Sequence, residues 1–154
     1  MGDHQPHTLV VGVGNVLLAD EGVGVHMANL LQAARLPRHV RVVECGTNFM
    51  AVATQLEGAG KVVIIDAVRA GSEPGTIHRL TYEELERANA GLRFAHQVSL
   101  LSSLRLLRVG EPALARVEVV LLGVEPATVA PGMEMSPPVR AALPRLMEAV
   151  RAEL

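Results

Sequence analysis

The stretch from Leu9 to Met27, LVVGVGNVLLADEGVGVHM, constrains the fold more than any other part of this 154-residue sequence. An apolar run that ends at Val13 predicts a buried strand, and the glycines beside it permit a tight turn at the end of that strand. The residues from Gly22 onward have the pattern of a helix. Two adjacent carboxylates, Asp20 and Glu21, therefore fall at a strand-to-helix junction, where they either cap the helix or begin a functional site.

The rest of the chain alternates predicted strands with predicted helices. Strands are predicted at 39–45, 61–68, 77–80 and 116–126, and helices at 46–60, at 81–91, from about residue 96 and from residue 136. Thr47 is the predicted cap of the first of these helices, and Pro144 is predicted to kink or shorten the last one. This alternation is typical of an α/β fold with three αβα layers, in which a mostly parallel twisted sheet carries helices on both faces.

The length fits a single domain over residues 1–154, in which residues 1–7 are predicted to form a flexible tail. Hydrophobic residues make up 49% and charged residues 19%, which indicates a folded globular protein. A formal net charge of -2 and an aromatic content of 2% argue against nucleic acid or an anionic membrane as the partner.

The cysteine content and the start of the chain bear on its location. Cys45 is the single cysteine, which excludes an internal disulfide and suits a reducing compartment. It follows a buried-looking strand, so we expect a packing role for it rather than a nucleophilic one. The first residues are polar and lack a signal-peptide pattern, and no apolar run approaches the ~20 residues that span a bilayer. We therefore expect a cytoplasmic protein.

Three side chains could carry chemistry together. Glu21 follows the first strand, Asp66 ends the strand at 61–68, and His96 precedes a helix. In open α/β sheets, functional sites lie beyond the carboxyl ends of the strands, so we expect these three to converge there. Two carboxylates and an imidazole form a mixed oxygen and nitrogen donor set that suits nickel, zinc or a similar divalent ion. Taken singly, Asp66 could instead bond backbone amides and His96 could be a buried helix-start residue.

A nucleotide-binding fold is the main rival interpretation. The pair Gly12 and Gly14 after the first strand loosely matches a dinucleotide motif, with Glu44 near the end of the second strand. The third glycine of that motif would fall at Leu17, however, and Glu21 and its neighbour put negative charge where a pyrophosphate would bind. We therefore predict no nucleotide cofactor.

Several segments together resemble the hydrogenase maturation endopeptidases, which process the large subunit of nickel–iron hydrogenases. The resemblance covers most of the chain and rests on GVGNVLLADEGVG (Gly12 to Gly24), Gly46-Thr47, VVIIDAV with Asp66, Pro74-Gly75-Thr76, and His96 with the leucine-rich helix behind it. The first segment is highly specific in combination, and the others support it by their order and spacing.

This resemblance implies an endopeptidase that cuts a C-terminal extension from the large-subunit precursor after nickel insertion. It implies metal contacts from Glu21, Asp66 and His96, and catalytic roles for Glu21 and Asp66. Asp20, Gly46 and Thr47 are the implied substrate contacts. The nickel is expected to be carried by the substrate, and the precursor is the expected partner of a monomeric enzyme. The family is often classed with the aspartic peptidases, although its mechanism is not that of the two-aspartate enzymes.

One departure from the family pattern leaves the hydrogenase class open. Many members carry Asp-Gly-Gly-Thr where this chain has Glu44-Cys45-Gly46-Thr47. The mechanism also has alternatives, since the ion could polarise the scissile carbonyl, activate a water, or only dock the substrate while a carboxylate acts as base. Two other functions stay open: an accessory protein that holds the nickel-loaded precursor without cutting it, and a nucleotide-binding regulatory domain.

Overall fold

A computed structural model of the chain describes residues 6–88, 93–94 and 97–154. Its strands are β1 (His7–Val13), β2 (Val40–Gly46), β3 (Ala59–Arg69), β4 (Ile77–Thr81), β5 (Arg93–Phe94) and β6 (Glu118–Val124). Its α-helices are α1 (Val23–Gln32), α2 (Tyr82–Ala88), α3 (Gln97–Gly110) and α4 (Pro137–Arg151), and its 3₁₀ helices are Ala19–Gly22, Phe49–Leu56 and Pro112–Arg116.

The strands form a mostly parallel sheet in the order β2-β1-β3-β6-β4. β1 pairs in parallel with β2 and β3, and β3 pairs in parallel with β6. β4 runs antiparallel to β6 at one edge, and the short β5 runs antiparallel to the end of β3. The three-layer α/β architecture predicted from the sequence is therefore confirmed, and the carboxyl ends of β1, β2, β3 and β6 meet at one edge of the sheet.

Alternate residues of each central strand feed two apolar layers, because successive side chains of a strand point to opposite faces. On one face, Val62 and Ile64 of β3 belong to the cluster that also contains Phe49, Leu85 and Leu104. Val63 and Ile65 point to the other face of β3 and belong to the second cluster. Helices α1 and α4 cover that cluster with Met27, Leu31, Leu146 and Val150. Asp66 shares the face of Val62 and Ile64 by this alternation, which is the face that α2 and α3 cover.

Three details differ from the sequence-based expectations. The predicted helix after β2 is a 3₁₀ helix, in which Phe49 and Val52 are buried at the three-residue spacing of that geometry. No side chain caps this helix, so the predicted Thr47 cap is wrong. Pro144 does not shorten α4, because its ring is exposed and the bond it cannot make lies on the solvent face of the helix. The predicted tail is too long, since His7 is buried as the first residue of β1.

Two expectations about the starts of helices are confirmed. The Thr81 hydroxyl accepts a hydrogen bond from the Glu84 amide at 3.2 Å, as a capping residue of α2 should. α3 begins at Gln97, within one residue of the predicted start. In the part of the chain that the structure describes, no helix has the length and apolar character needed to cross a bilayer.

Candidate functional site

The turn after β1 brings Glu21 against the end of the sheet. Gly14 has a φ of +141°, and its amide donates to the Gly46 carbonyl at 2.8 Å, which joins the ends of β1 and β2. A Cβ on Gly14 would lie 1.9 Å from the Glu21 carbonyl oxygen. Only glycine fits here, both for its backbone conformation and for this close approach. The glycine turn of the sequence thus allows the 3₁₀ helix that carries Glu21 to pack directly on β1.

Asp66 lies on the other side of the same turn. Its side chain is 0% exposed, and its Oδ1 accepts a hydrogen bond from the Ala67 amide at 2.8 Å. Its Oδ2 is buried and has no hydrogen-bond partner among the residues that the structure describes. The position of a Cβ on Gly14 is 3.7 Å from Oδ1, so Gly14 separates the Asp66 carboxyl from the Glu21 backbone.

The environment of Asp66 favours its protonated form. Burial raises the pKa of Asp66 well above its usual 3.8; the Ala67 amide lowers it, and the negative charge of Glu21 raises it further. Such surroundings favour the protonated form of a carboxyl, and a nearby cation would favour its ionised form. Asp66 is therefore the strongest candidate for proton chemistry in the described part of the chain.

Two of the three predicted site residues come together. Glu21 and Asp66 both lie at the carboxyl edge of the sheet, as expected from the order of strands and acids. His96 lies outside the described residues, and α3 begins at the next position. Within the described ranges, no group of three His, Cys, Asp or Glu side chains is arranged to hold a metal ion. The metal contacts of Glu21, Asp66 and His96 therefore stay predictions.

Asp20 binds a loop that is distant in the sequence. Its carboxylate accepts four hydrogen bonds, from the amides of Ala127 (2.8 Å), Thr128 (3.0 Å) and Ser136 (2.7 Å) and from the Ser136 hydroxyl (2.7 Å). Burial raises the pKa of Asp20, but these hydrogen bonds outweigh burial and lower it overall. At 0% exposure and with these four hydrogen bonds, the Asp20 carboxylate has an anchoring role in this structure, and its predicted substrate contact stays a prediction.

Gly46 and Thr47 border an open groove. They line it together with residues 14–17, Val25 and Glu44. Gly46 has a φ of +58°, in the left-handed region, and a Cβ there would meet no atom within 4 Å. The substrate contacts of Gly46 and Thr47 stay predictions, and their position beside the turn that carries Glu21 is consistent with them.

Cys45 is half-buried at an irregularity in the pairing of β1 with β2. Glu44 pairs with Gly12 and Gly46 pairs with the next residue of β1, so Cys45 is the extra residue of a bulge. Its thiol lies 3.8 Å from the Gly12 carbonyl oxygen and 3.7 Å from that of Gly46, to which it can donate. Burial, together with the smaller effects of the charges of Asp66 and Glu44, raises the pKa of Cys45 to about 11. A thiol of this kind is a weak nucleophile, in agreement with the predicted packing role.

Glu125 is a buried acid at the carboxyl edge of the sheet that the sequence reasoning missed. It follows β6 directly, and its buried carboxylate accepts hydrogen bonds from the amides of Ala70 (2.8 Å) and Gly71 (3.2 Å). His78 Nε2 lies 3.4 Å from the same carboxylate. Glu125 thus anchors the loop after β3, the strand that carries Asp66. The signal that singled out Asp66, an acid at the carboxyl end of a buried strand, is also present at Glu125.

Comparisons with known proteins agree with this geometry. The family model described as hydrogenase maturation protease matches residues 25–153. The hydrogenase 2 maturation protease of Escherichia coli K12 is 34% identical over 149 residues, which cover 95% of this chain and 89% of that protein. The hydrogenase expression/formation protein HupM of Azotobacter chroococcum is 32% identical over 145 residues, or 93% of this chain and 69% of that protein.

Solved structures show the same fold. The NiFe hydrogenase maturation protease HybD of Thermococcus kodakarensis superimposes with a TM-score of 0.86 at 28% identity, over 96% of this chain and 98% of that one. The hydrogenase maturating endopeptidase HybD of E. coli superimposes with a TM-score of 0.85 at 31% identity, over 96% and 91% of the two chains. The family model and the E. coli relative each match most of the chain, and this protein therefore belongs to the hydrogenase maturation protease family.

Proposed function

We propose that this protein is an endopeptidase that removes a C-terminal extension from the nickel-loaded large-subunit precursor of a nickel–iron hydrogenase. Membership of a family of hydrogenase maturation proteases supports this activity. The observation that carries the proposal is Asp66: a fully buried carboxyl with one oxygen that lacks a hydrogen-bond partner among the described residues, beside Glu21 at the carboxyl edge of the sheet.

The buried carboxyl explains how the enzyme could distinguish a nickel-loaded precursor from an empty one. Keeping Asp66 ionised in this environment is unfavourable without a positive partner, because burial and the Glu21 charge both oppose ionisation. A nickel ion carried by the precursor supplies that positive charge, so it is part of the substrate in this proposal. Glu21, Asp66 and His96 form the oxygen and nitrogen donor set that would meet it, with His96 known here from the sequence alone.

Hydrolysis of a peptide bond requires removal of a proton from a water and return of a proton to the leaving amine. Asp66 is suited to both transfers, because its raised pKa makes it a better base than an ordinary carboxylate once it is ionised, and a usable acid once it is protonated. Glu21 keeps a second carboxyl beside it. In this proposal Asp66 moves the proton, and the enzyme is a carboxyl-dependent peptidase without a paired-aspartate motif.

The direct test is to incubate the purified protein with nickel-loaded full-length precursor and measure the intact mass of the large subunit. We expect the precursor to lose its C-terminal extension, and nickel-free precursor to stay intact. Asp66→Asn should cut neither, whereas Glu73→Gln, an exposed acid in the loop after the same strand, should cut at the wild-type rate.

Two results would contradict the proposal. A precursor that co-purifies with the protein at unchanged mass would identify a holding protein that does not cut. Binding of a nucleotide in a calorimetric titration, together with an uncut precursor, would favour the regulatory alternative.

A further inference from the structure

Two large apolar side chains are exposed in loops near the site formed by the acid pair Glu21 and Asp66. Six such side chains are exposed in the part of the chain that the structure describes: Leu17, Leu30, Met50, Leu106, Val109 and Met133. Leu17 is 58% exposed and Met133 is 68% exposed, and both lie in loops at the carboxyl edge of the sheet. Single exposed apolar residues need no explanation, but a pair beside a candidate site does.

The backbone holds the two loops that carry these side chains against each other. The Gly132 amide donates to the Leu17 carbonyl at 2.8 Å, and the Ala19 amide donates to the Gly132 carbonyl at 2.8 Å. Leu18 and Gly132 are therefore paired as in a short parallel ladder. Leu17 and Met133 each lie next to this pair, on adjoining segments of backbone, and both are exposed. We refer to Leu17 and Met133 as the apolar ridge.

The ridge is rigid because Asp20 anchors the loop that contains Met133. The Asp20 carboxylate binds the backbone of Ala127 and Thr128 on one side of that loop and Ser136 on the other. The Asp20 amide also donates to the Thr128 carbonyl at 3.1 Å. An apolar surface on a preorganised backbone binds a partner at a lower entropic cost than one on a mobile loop.

The ridge is continuous with the groove and the acid pair. Leu17 lines the groove that Gly46 and Thr47 border, and the Glu21 amide donates to the Leu18 carbonyl at 3.1 Å. Exposed Glu44 lies at the groove, and exposed Glu134 follows Met133, while residues 14–17, 44–47 and 128–135 contain no lysine or arginine. This charge pattern favours an apolar partner segment with basic neighbours.

The geometry points to the apolar ridge as the docking surface for an apolar segment of the hydrogenase large-subunit precursor, next to the bond that is cut. This inference rests on the proposed function, since it takes the groove as the substrate cleft. The ridge contributes binding energy without touching the reacting atoms, so its loss should weaken binding without changing the chemical step.

The test compares the double variant Leu17→Gln/Met133→Gln with the matched control Leu106→Gln/Val109→Gln, which removes two equally exposed apolar side chains from α3. Cleavage of nickel-loaded precursor should show a KM raised about tenfold or more in the ridge variant, with kcat within about twofold of wild type. The control pair should leave both constants unchanged. Met133→Leu, which keeps the apolar surface, should also retain the wild-type KM. Since all four positions are exposed, thermal unfolding should be unchanged in every variant.

A second measurement separates the ridge from the cleavage activity. Each variant is combined with Asp66→Asn, and its affinity for immobilised nickel-loaded precursor is measured. Loss of affinity in the ridge variant alone supports the docking surface, whether or not the wild type cuts. A ridge variant with wild-type KM and affinity overturns the inference and leaves the proposed function intact. The inference is also overturned if the wild type sediments as a dimer and the ridge variant as a monomer. In that case a second copy of this chain covers the apolar ridge.

Discussion

Replacing Asp20 with asparagine should destabilise the fold strongly, although it changes a single atom of the side chain. In the wild type, Oδ2 accepts three hydrogen bonds and Oδ1 accepts one from the Ser136 amide. The asparagine side chain keeps the most hydrogen bonds when its oxygen takes the place of Oδ2. Its amino group then takes the place of Oδ1 and faces the Ser136 amide, so that two donors face each other. The Ser136 amide then loses its acceptor, and the bonds that remain lose their charge-assisted strength.

These losses set the size of the effect. An unsatisfied buried donor costs roughly 1–3 kcal/mol, and each hydrogen bond to a charged acceptor exceeds its neutral counterpart by about 1 kcal/mol. Removal of the buried charge recovers part of this sum, because burial opposes ionisation of Asp20. We therefore expect Asp20→Asn to lower the free energy of unfolding by about 3 kcal/mol, which for a domain of this size lowers the Tm by about 6–12 °C.

Urea and thermal unfolding at pH 7 measure this loss directly. Glu134→Gln, an exposed acid in the same loop, is the matched control and should change stability by less than about 0.5 kcal/mol. The pKa of Asp20 is lowered in the folded protein, so its contribution is present above its ordinary value of 3.8 and is lost as the pH falls below it. The difference between wild type and Asp20→Asn should therefore shrink below about pH 4. An unchanged Tm at pH 7 would refute the anchoring role.

Three further predictions concern the site. Asp66→Asn should abolish cleavage in the mass assay. The variant should be at least as stable as the wild type at neutral pH, because the pKa of Asp66 is raised in the folded protein and the wild type loses stability as the pH rises through that pKa. A lower Tm of the variant in thermal unfolding would refute this reasoning. The pKa of Cys45 is raised from 9.0 to about 11 in the folded protein, so its thiol should react with iodoacetamide at pH 8 about 100-fold more slowly in the native protein than in urea. Rapid alkylation of the native protein would contradict the packing role. Cys45→Gly should retain cleavage. Gly14→Ala should lower the free energy of unfolding in urea by more than about 2 kcal/mol and displace Glu21. The control Gly71→Ala is also at positive φ, but its Cβ would have no atom within 4 Å, so it should cost only the backbone strain of about 1 kcal/mol. Equal losses in the two variants would show that the close approach of Gly14 to Glu21 is unimportant.

The sequence alone predicted the layers of the fold and two of the positions that matter in it. The apolar runs at β1, β3 and β6 specify buried parallel strands, because burial on both faces requires unbroken hydrophobic segments. The acids that follow β1 and lie near the carboxyl end of β3 were identifiable for the same reason, since a charge at the end of an apolar run must leave the core or serve a function. Glu21 and Asp66 meet because parallel strands bring their carboxyl ends to one edge.

What the tertiary structure decided were the partners of these groups. Asp20 and Glu21 are adjacent and chemically alike, yet Asp20 accepts its hydrogen bonds from a loop more than a hundred residues away in the chain, while the charge of Glu21 acts on Asp66 and raises its pKa. Local periodicity reports burial but not which loop crosses which turn, so neither the Asp20 anchor nor the pairing of Leu18 with Gly132 could be predicted. The raised pKa of Asp66 likewise depends on complete enclosure and on the charge of Glu21, two conditions that exist only once the chain has folded.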